Sequence, residues 1–311
     1  MAYTANRALL KERIAFNFKK AKSSKAYYLM LLPFLVFFML FTVIPVVMSL
    51  VLSFTDFNML ESARFVGFTN YMRMFLDDDV FIKAIANTLI FAVITGPISY
   101  FACLIFAWLI NELNPTVRAI MTFVFYAPTM SSTLFVVWTF IFSGDSYGLL
   151  NAFLSSAGII DEPVQWLTDT STMLICCMIV QIWMSLGSSF LSFIAGFQTV
   201  DRSVYEAAAI DGIRNRVDEL VKITLPLMGP QLLFGAVMQI SGSFAVGGVC
   251  QSLCGYPTTD DAATTLVLLI SDVGTSRYEM GYACAMSFFL FAIMLVVNNL
   301  IQRIIRKHAD A

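Results

Sequence analysis

Six uncharged stretches, at about 26–53, 86–110, 119–142, 173–195, 226–249 and 280–301, constrain this chain more than anything else in it. None contains Asp, Glu, Lys, Arg or His, and each reaches the roughly 20 apolar residues that cross a bilayer as a helix. With 59% hydrophobic residues against 13% charged, the chain carries more apolar surface than one soluble core can hide. The runs are too long and too continuous for the alternating, roughly 10-residue strands of a membrane barrel, so helices must satisfy the backbone inside lipid. The expected fold is an all-α membrane protein with six transmembrane helices.

Charge placement orients them. Fifteen of the nineteen Lys and Arg residues fall in segment 1–25, in the connection at Arg118, in the polar island 198–225 and after residue 301. The other three connections hold four, among acids such as Asp77, Asp78, Asp79, Asp161, Glu162, Asp260 and Asp261. The positive-inside rule therefore places both termini and the island in the cytoplasm. The expected domains are a basic tail (1–25), a six-helix membrane domain (26–303) and a short C-terminal tail (304–311). The first apolar run is about double the length of a signal-peptide core and no small-residue cleavage site comes after it, so it reads as an anchor. Nothing resembles a nucleic-acid footprint, because the basic tail is a topology signal beside anionic lipid.

Between the first two runs, aromatics of segment 65–75 recur at spacings that suit a short helix on the membrane surface, and Tyr147 and Trp166 read as interface anchors. Pro33, Pro45, Pro97 and Pro128 should kink or locally unwind their spans. The six cysteines match no zinc spacing and read as small apolar packing groups.

The island 198–225 is the one long polar segment between two membrane runs. Its centre reads Tyr205-Glu206-Ala207-Ala208-Ala209-Ile210-Asp211-Gly212. Read as a helix, it puts Tyr205, Ala208, Ala209 and Gly212 on one face, where small side chains let a partner approach. Gly212 can end the helix at positive φ. Val217, Leu220 and Val221 then make an apolar stripe, and Pro226 suits the first turn of the fifth span. The product is a helix-turn-helix bracket fixed at both ends to membrane helices.

The order Glu206-Ala207-Ala208, Asp211-Gly212 and Ile223-Thr224-Leu225-Pro226 resembles the EAA loop of permease subunits in ATP-binding-cassette importers. Leu32-Pro33, Ile44-Pro45, Ser53-Phe54-Thr55-Asp56, Phe65-Val66-Gly67, Asn70-Tyr71, Asn87-Thr88, Tyr126-Ala127-Pro128 and Met280-Gly281-Tyr282-Ala283 extend the likeness to the maltose-type carbohydrate branch. The resemblance implies a type I importer permease fold and a partner set: a second homologous permease, two copies of a cytoplasmic ATPase and an extracytoplasmic solute-binding protein. It also implies that the island docks on the ATPase, with ATP and Mg held there and no cofactor in this chain. Ten residues separate Gly212 from Ile223, where the commonest family pattern has nine; one extra helical residue would rotate the rest of the bracket by about 100°.

Spans without charge disfavour an ionic cargo or a proton relay, so a neutral solute such as a sugar is favoured. Amides and hydroxyls bond sugar hydroxyls, and aromatic faces cover their C–H surfaces. Gln239, Ser243, Phe244, Gln181, Trp183, Tyr126 and Trp138 are the candidate path residues, each also open to a packing role. A different neutral or polyol-phosphate cargo is the alternative. Secondary transport lacks the repeats and midplane ion sites it would need. A serine protease lacks a usable base, since the one histidine, His308, is outside the spans. No phosphate-binding Gly-x-x-x-x-Gly-Lys loop is present, so ATP hydrolysis belongs to another polypeptide.

Overall fold

A computed structural model describes residues 25–131, 134–213 and 215–309; the basic tail before Lys25 lies outside the described residues. In chain order the helices are α1 (Lys25–Phe38), α2 (Ile44–Leu52), α3 (Thr69–Leu76), α4 (Asp79–Asn111), α5 (Pro115–Tyr126), α6 (Phe135–Ile141), α7 (Leu149–Ser156), α8 (Met173–Met184) and α9 (Ser188–Thr199). There follow α10 (Arg202–Ile210), α11 (Arg216–Glu219), α12 (Leu225–Leu227), α13 (Gly229–Phe244), α14 (Gly248–Cys254), α15 (Leu266–Ser271) and α16 (Met280–Ala309). The described residues contain no strand beyond one isolated bridge, Thr55 to Phe65.

The six apolar runs are all helical, but only four are continuous enough to cross a membrane by themselves; the other two are bent pairs, giving six spans if each pair counts once. The third run breaks at Ala127–Met130 and restarts at Phe135 as α6. The fifth run departs furthest from its expected bounds of 226–249. Residues 216–227 meet α13 at 85°, and α13 itself stops at Phe244. Pro226 therefore sits in the turn before the bend, and Pro230 occupies the first turn of α13 instead. A proline there needs no N–H, since the first turn has no acceptor for one. At sixteen residues α13 is about 24 Å long, short of the roughly 30 Å hydrocarbon layer.

Proline acts through the hydrogen-bond ladder. The π turn Met39–Val43 precedes Pro45 and the π turn Leu220–Thr224 precedes Pro226; in each, the residue just before the proline donates to the carbonyl five positions back. The ladder widens by one residue where the proline N–H is missing. Pro97, by contrast, lies in an unbroken 33-residue α4. The last helix continues through 304–309, so the expected short tail is helical to Ala309.

At the end remote from the bracket, loops are stitched to helix tops by side chains. Asn70 on α3 donates to the carbonyls of Ser53 and Thr55, both at 2.9 Å, and Ser53 Oγ shares a 2.8 Å bond with Tyr71. Asn87 on α4 donates to the carbonyls of Asp261 and Thr264, while Thr88 Oγ1 accepts the Leu266 N–H at 2.8 Å. The helix expected from Phe65 begins at Thr69; it sets Phe75 edge-on against Phe289 of α16, while Phe68, Met72 and Leu76 stay exposed. Trp166 likewise points inward, its indole N–H on Asn151 at 2.8 Å.

Gly281 starts α16 against the chain at Thr55–Phe57, donating its N–H to Phe57 O at 2.9 Å. A Cβ there would collide with the Thr55 carbonyl oxygen, a backbone atom that has no rotamer to yield. Gly281→Ala is expected to displace this segment and cost about 1–3 kcal/mol, read as a lower thermal midpoint in mild detergent; an unchanged midpoint would show that the segment moves freely.

Candidate functional site

The bracket is built from caps. Asp201 accepts the Ser203 N–H at 3.0 Å and starts α10, a bond that holds its carboxyl below the usual carboxylate range. Gly212 ends the helix at φ +94°, with Ile213 N–H on Ala208 O and Gly212 N–H on Ala209 O. That pair of bonds is the Schellman closure, which needs the left-handed backbone that glycine adopts freely. Asn215 then caps α11 through the Val217 N–H.

Two contacts hold the bracket, one between its own arms and one to the end of α4. Tyr205 shares a 2.8 Å hydrogen bond with the buried Thr224 hydroxyl, which in turn donates to Glu219 O. Arg216 bridges Glu219 of its own helix at 2.9 Å and Glu112, just past the end of α4, at 3.5 Å. The face expected to receive a partner is thereby rearranged. Tyr205 and Ala208 turn inward, and the open surface is Glu206, Ala207, Ala209, Ile210, Asp211 and Gly212. A tyrosine carries an apolar body and a polar tip, and the buried threonine supplies the partner for that tip. In the apolar stripe, Leu220 packs inward with Leu225 against the Phe193–Phe197 core. Val217 and Val221 stay half exposed, Ile223 is partly covered and Pro226 is open.

The additional residue between Gly212 and Ile223 falls in a stretch that contains the π turn Leu220–Thr224. A π turn holds one residue more than an α turn. The stretch from Gly212 to Ile223 is therefore not the uninterrupted α-helix for which a rotation of about 100° was expected.

The seven candidate path residues separate into two groups. Gln239, Ser243 and Phe244 are buried and occupy the last two turns of α13, not its middle. The Gln239 side chain donates to Cys103 Sγ on α4 at 3.2 Å and to Ser185 O at 3.1 Å. Ser185 lies in the interruption between α8 and α9, where its carbonyl leaves the helical ladder and also accepts the Gly187 N–H at 2.8 Å. Ser243 returns its hydroxyl to Ile240 O and packs on Gly96. These three side chains join helices.

Tyr126, Trp138, Gln181 and Trp183 are only partly buried. Trp138 and Trp183 meet edge to face at 5.5 Å across α6 and α8. The Gln181 amide and the Tyr126 hydroxyl have no hydrogen-bond partner among the described residues. Tyr126 stands at the head of an open groove of about 500 Å³ between α5 and α9, which runs past Thr122 to Arg118 and Gln198. The junction partners Cys103 and Ser185 were not singled out as a pair from sequence; the cluster Ser185-Leu186-Gly187-Ser188-Ser189, rich in residues that interrupt helices, was the available signal. Among the described residues no group of His, Cys, Asp and Glu is arranged to hold a metal ion.

A multi-span helical protein with a rigid polar bracket between its fourth and fifth spans is the class that this architecture defines. Residues 104–310 match the family described as the binding-protein-dependent transport system inner membrane component. Over 290 residues the chain is 31% identical to the probable ABC transporter permease protein YesP of Bacillus subtilis, covering 92% of this chain and 91% of that one. It is 29% identical over 288 residues to the arabinooligosaccharides transport system permease protein AraP of Bacillus subtilis, covering 92% and 89%. Its fold matches a chain of the bacterial alginate ABC transporter, solved in complex with an alginate pentasaccharide-bound periplasmic protein. That match has a TM-score of 0.76 at 24% identity, covering 94% and 98%. The chain belongs to the binding-protein-dependent transport family and is a multi-pass inner-membrane permease component. Secondary transport and intramembrane proteolysis are set aside with that assignment.

Gln239→Ala is expected to remove the one bond that α13 gives the Ser185 carbonyl, which keeps the Gly187 N–H and the Cys103 thiol, costing about 0.5–1.5 kcal/mol and lowering the thermal midpoint of the purified protein. Gln181→Ala, which removes no internal bond, should shift it by less than about 0.5 kcal/mol. Equal effects of the two substitutions would contradict the division into joining and open residues.

Proposed function

We propose that this chain is the sugar-conducting permease of an ATP-driven importer, in which the bracket α10–α12 docks on a separate ATPase and its motion alternates access to a path beside α5, α6, α8 and α9. The observation that carries the reading is the bracket: its inner face is fixed by Tyr205–Thr224 and Arg216–Glu112, while its outer face presents Glu206, Ala207, Asp211 and Gly212 to an approaching surface. Pushing on such a device moves α9 and α13, because both of its ends continue into them. Glu206, Ala207, Ala208, Asp211, Gly212, Ile223, Leu225 and Pro226 are its coupling residues. ATP and Mg belong to two copies of the ATPase, and both termini of this chain face the same side as the bracket, the cytoplasm.

A second permease is supported by α1 and α2. Their span from Leu29 to Leu52 buries none of its apolar side chains within this chain. An apolar groove of about 340 Å³ along α4, α13 and α16, lined by Val93, Pro97, Phe101 and Ile240, also stands open. The cargo reading rests on partly exposed aromatic and amide groups on uncharged helices, and on relatives such as AraP whose named cargo is an oligosaccharide. Trp138 and Trp183 offer faces to sugar C–H surfaces, and Gln181 and Tyr126 offer hydrogen bonds that nothing internal uses. An extracytoplasmic binding protein delivers the solute.

Purification from the native membrane is expected to recover the chain with a second permease and two ATPase copies; recovery alone would refute the reading. A Cβ on Gly212 would meet nothing within 4 Å, so the strain of an Asp there is confined to its own backbone at φ +94° in an exposed turn. Gly212→Asp should therefore fold and insert, yet lose solute-stimulated ATP hydrolysis; retained stimulation would remove the bracket from coupling. Gln181→Ala should raise the KM for uptake about fivefold, the loss of one hydrogen bond of about 1 kcal/mol, with assembly unchanged.

A further inference from the structure

Three of the six cysteines converge although the sequence separates them. Cys177 lies on α8, whereas Cys250 and Cys254 occupy successive turns of α14. Cys177 and Cys250 are fully buried, and Cys254 is partly open beside Gly255, where the polar loop 255–265 begins. The Sγ atoms of Cys177 and Cys254 are 3.6 Å apart, and the Cys177 thiol also faces Cys250. Around them pack Phe91, Phe135, Phe142, Val246 and Leu253. Small apolar packing, the reading from spacing alone, explains one buried thiol at a time but not the convergence of three from two helices.

We propose that Cys177 and Cys254 form a reversible disulfide that ties α14 to α8. A disulfide needs an S–S separation of about 2.05 Å, and small side-chain rotations at two adjoining thiols supply the remaining approach. The oxidant is a small-molecule disulfide. Cys254, the one member of the trio open to solvent, gives its proton to water, and the thiolate attacks one sulfur of the oxidant. The oxidant's S–S bond breaks and one small thiol leaves. Cys177 then attacks Cys254 Sγ as its proton passes to the departing small thiolate, which leaves as the second small thiol. Two protein thiols are oxidised and one small disulfide is reduced.

The bond joins α14, the next helix after α13, to α8. Bracket, bend, α13 and α14 are consecutive, so a covalent tie at α14 holds the end of that lever opposite the coupling surface. This consequence, though not the pairing, rests on the importer reading.

The purified complex is treated with oxidised glutathione, alkylated, digested and mapped by mass spectrometry. A Cys177–Cys254 peptide pair, absent after dithiothreitol and in Cys254→Ser, is expected, and Cys250→Ser should retain it. Recovery of all three thiols as alkylated, or pairing of Cys177 with Cys250 in the unaltered chain, would overturn the proposal. In the same sample, solute-stimulated ATP hydrolysis should fall on oxidation and return with dithiothreitol, with Cys177→Ser unaffected. Full pairing with undiminished stimulation would overturn the locking role. Because peptide mapping does not depend on transport, a failure of the pairing is distinguishable from a failure of the importer reading.

Discussion

The carbonyl of Ser185 sets the architecture of the membrane core. A span interrupted inside lipid exposes backbone groups that have no water to bond. Here the interruption between α8 and α9 turns the Ser185 carbonyl onto the Gly187 N–H at 2.8 Å, and Gln239 from α13 and the Cys103 thiol from α4, 3.6 Å from the same oxygen, bring two further spans to it. Three spans must therefore meet at one level. They do so because small residues let them approach. A Cβ on Gly235 would strike the Phe193 ring, one on Gly196 would meet Met228 at 2.6 Å, and one on Gly96 would meet Ser243 at 3.3 Å. Ser189 adds a 3.2 Å bond to Gly235 O. Packing and polar satisfaction, rather than apolar burial, hold helices together where the solvent is itself apolar.

That requirement explains why the polar residues of the spans serve two ends. Gln239 and Gln181 have the same side chain, lie on apolar runs and look alike in sequence. One is consumed by a broken neighbour and the other is left with its amide unpaired, a difference fixed by where a helix on another part of the chain breaks. No local pattern around Gln239 records the interruption at Ser185–Gly187. Hydropathy showed that there were six apolar runs, because transfer energy is summed residue by residue. It did not show that the fifth ends at Phe244, because Val246 and Val249 are as apolar as the residues before them. There Gly247 lies so close to Val267 that a Cβ would sit 2.9 Å away, and Thr265 takes the Val246 carbonyl at 2.8 Å. Tertiary contacts end that helix.

The motifs that carried the resemblance were legible as words before their physical role was visible. Asn70, Tyr71, Asn87, Thr88 and Gly281 all act at one end of the bundle, where side chains hold irregular backbone against helix tops. Buried carbonyls of loops need donors at fixed positions, so short motifs scattered over 200 residues converge in space. Gly212 was legible in full, since a glycine closing an Ala-rich helix states its own backbone geometry. Tyr205 was not, because its inward turn depends on Thr224, nineteen positions on.

In the proposed importer these constraints make the bracket a lever rather than a hinge. The 85° bend between residues 216–227 and α13 turns a displacement along the membrane surface into a tilt of α13. A flexible bend would dissipate that displacement. Met228, at the bend, is fully buried, the Tyr205–Thr224 bond ties one arm to the other, and the π turn fills the ladder ahead of Pro226 instead of leaving it open. The tilt therefore reaches Gln239, which cannot move without pulling on the break between α8 and α9. Gln181 and Trp183 lie within four residues of that break, so the junction that satisfies one carbonyl is also where a push on the bracket meets the open face of the spans.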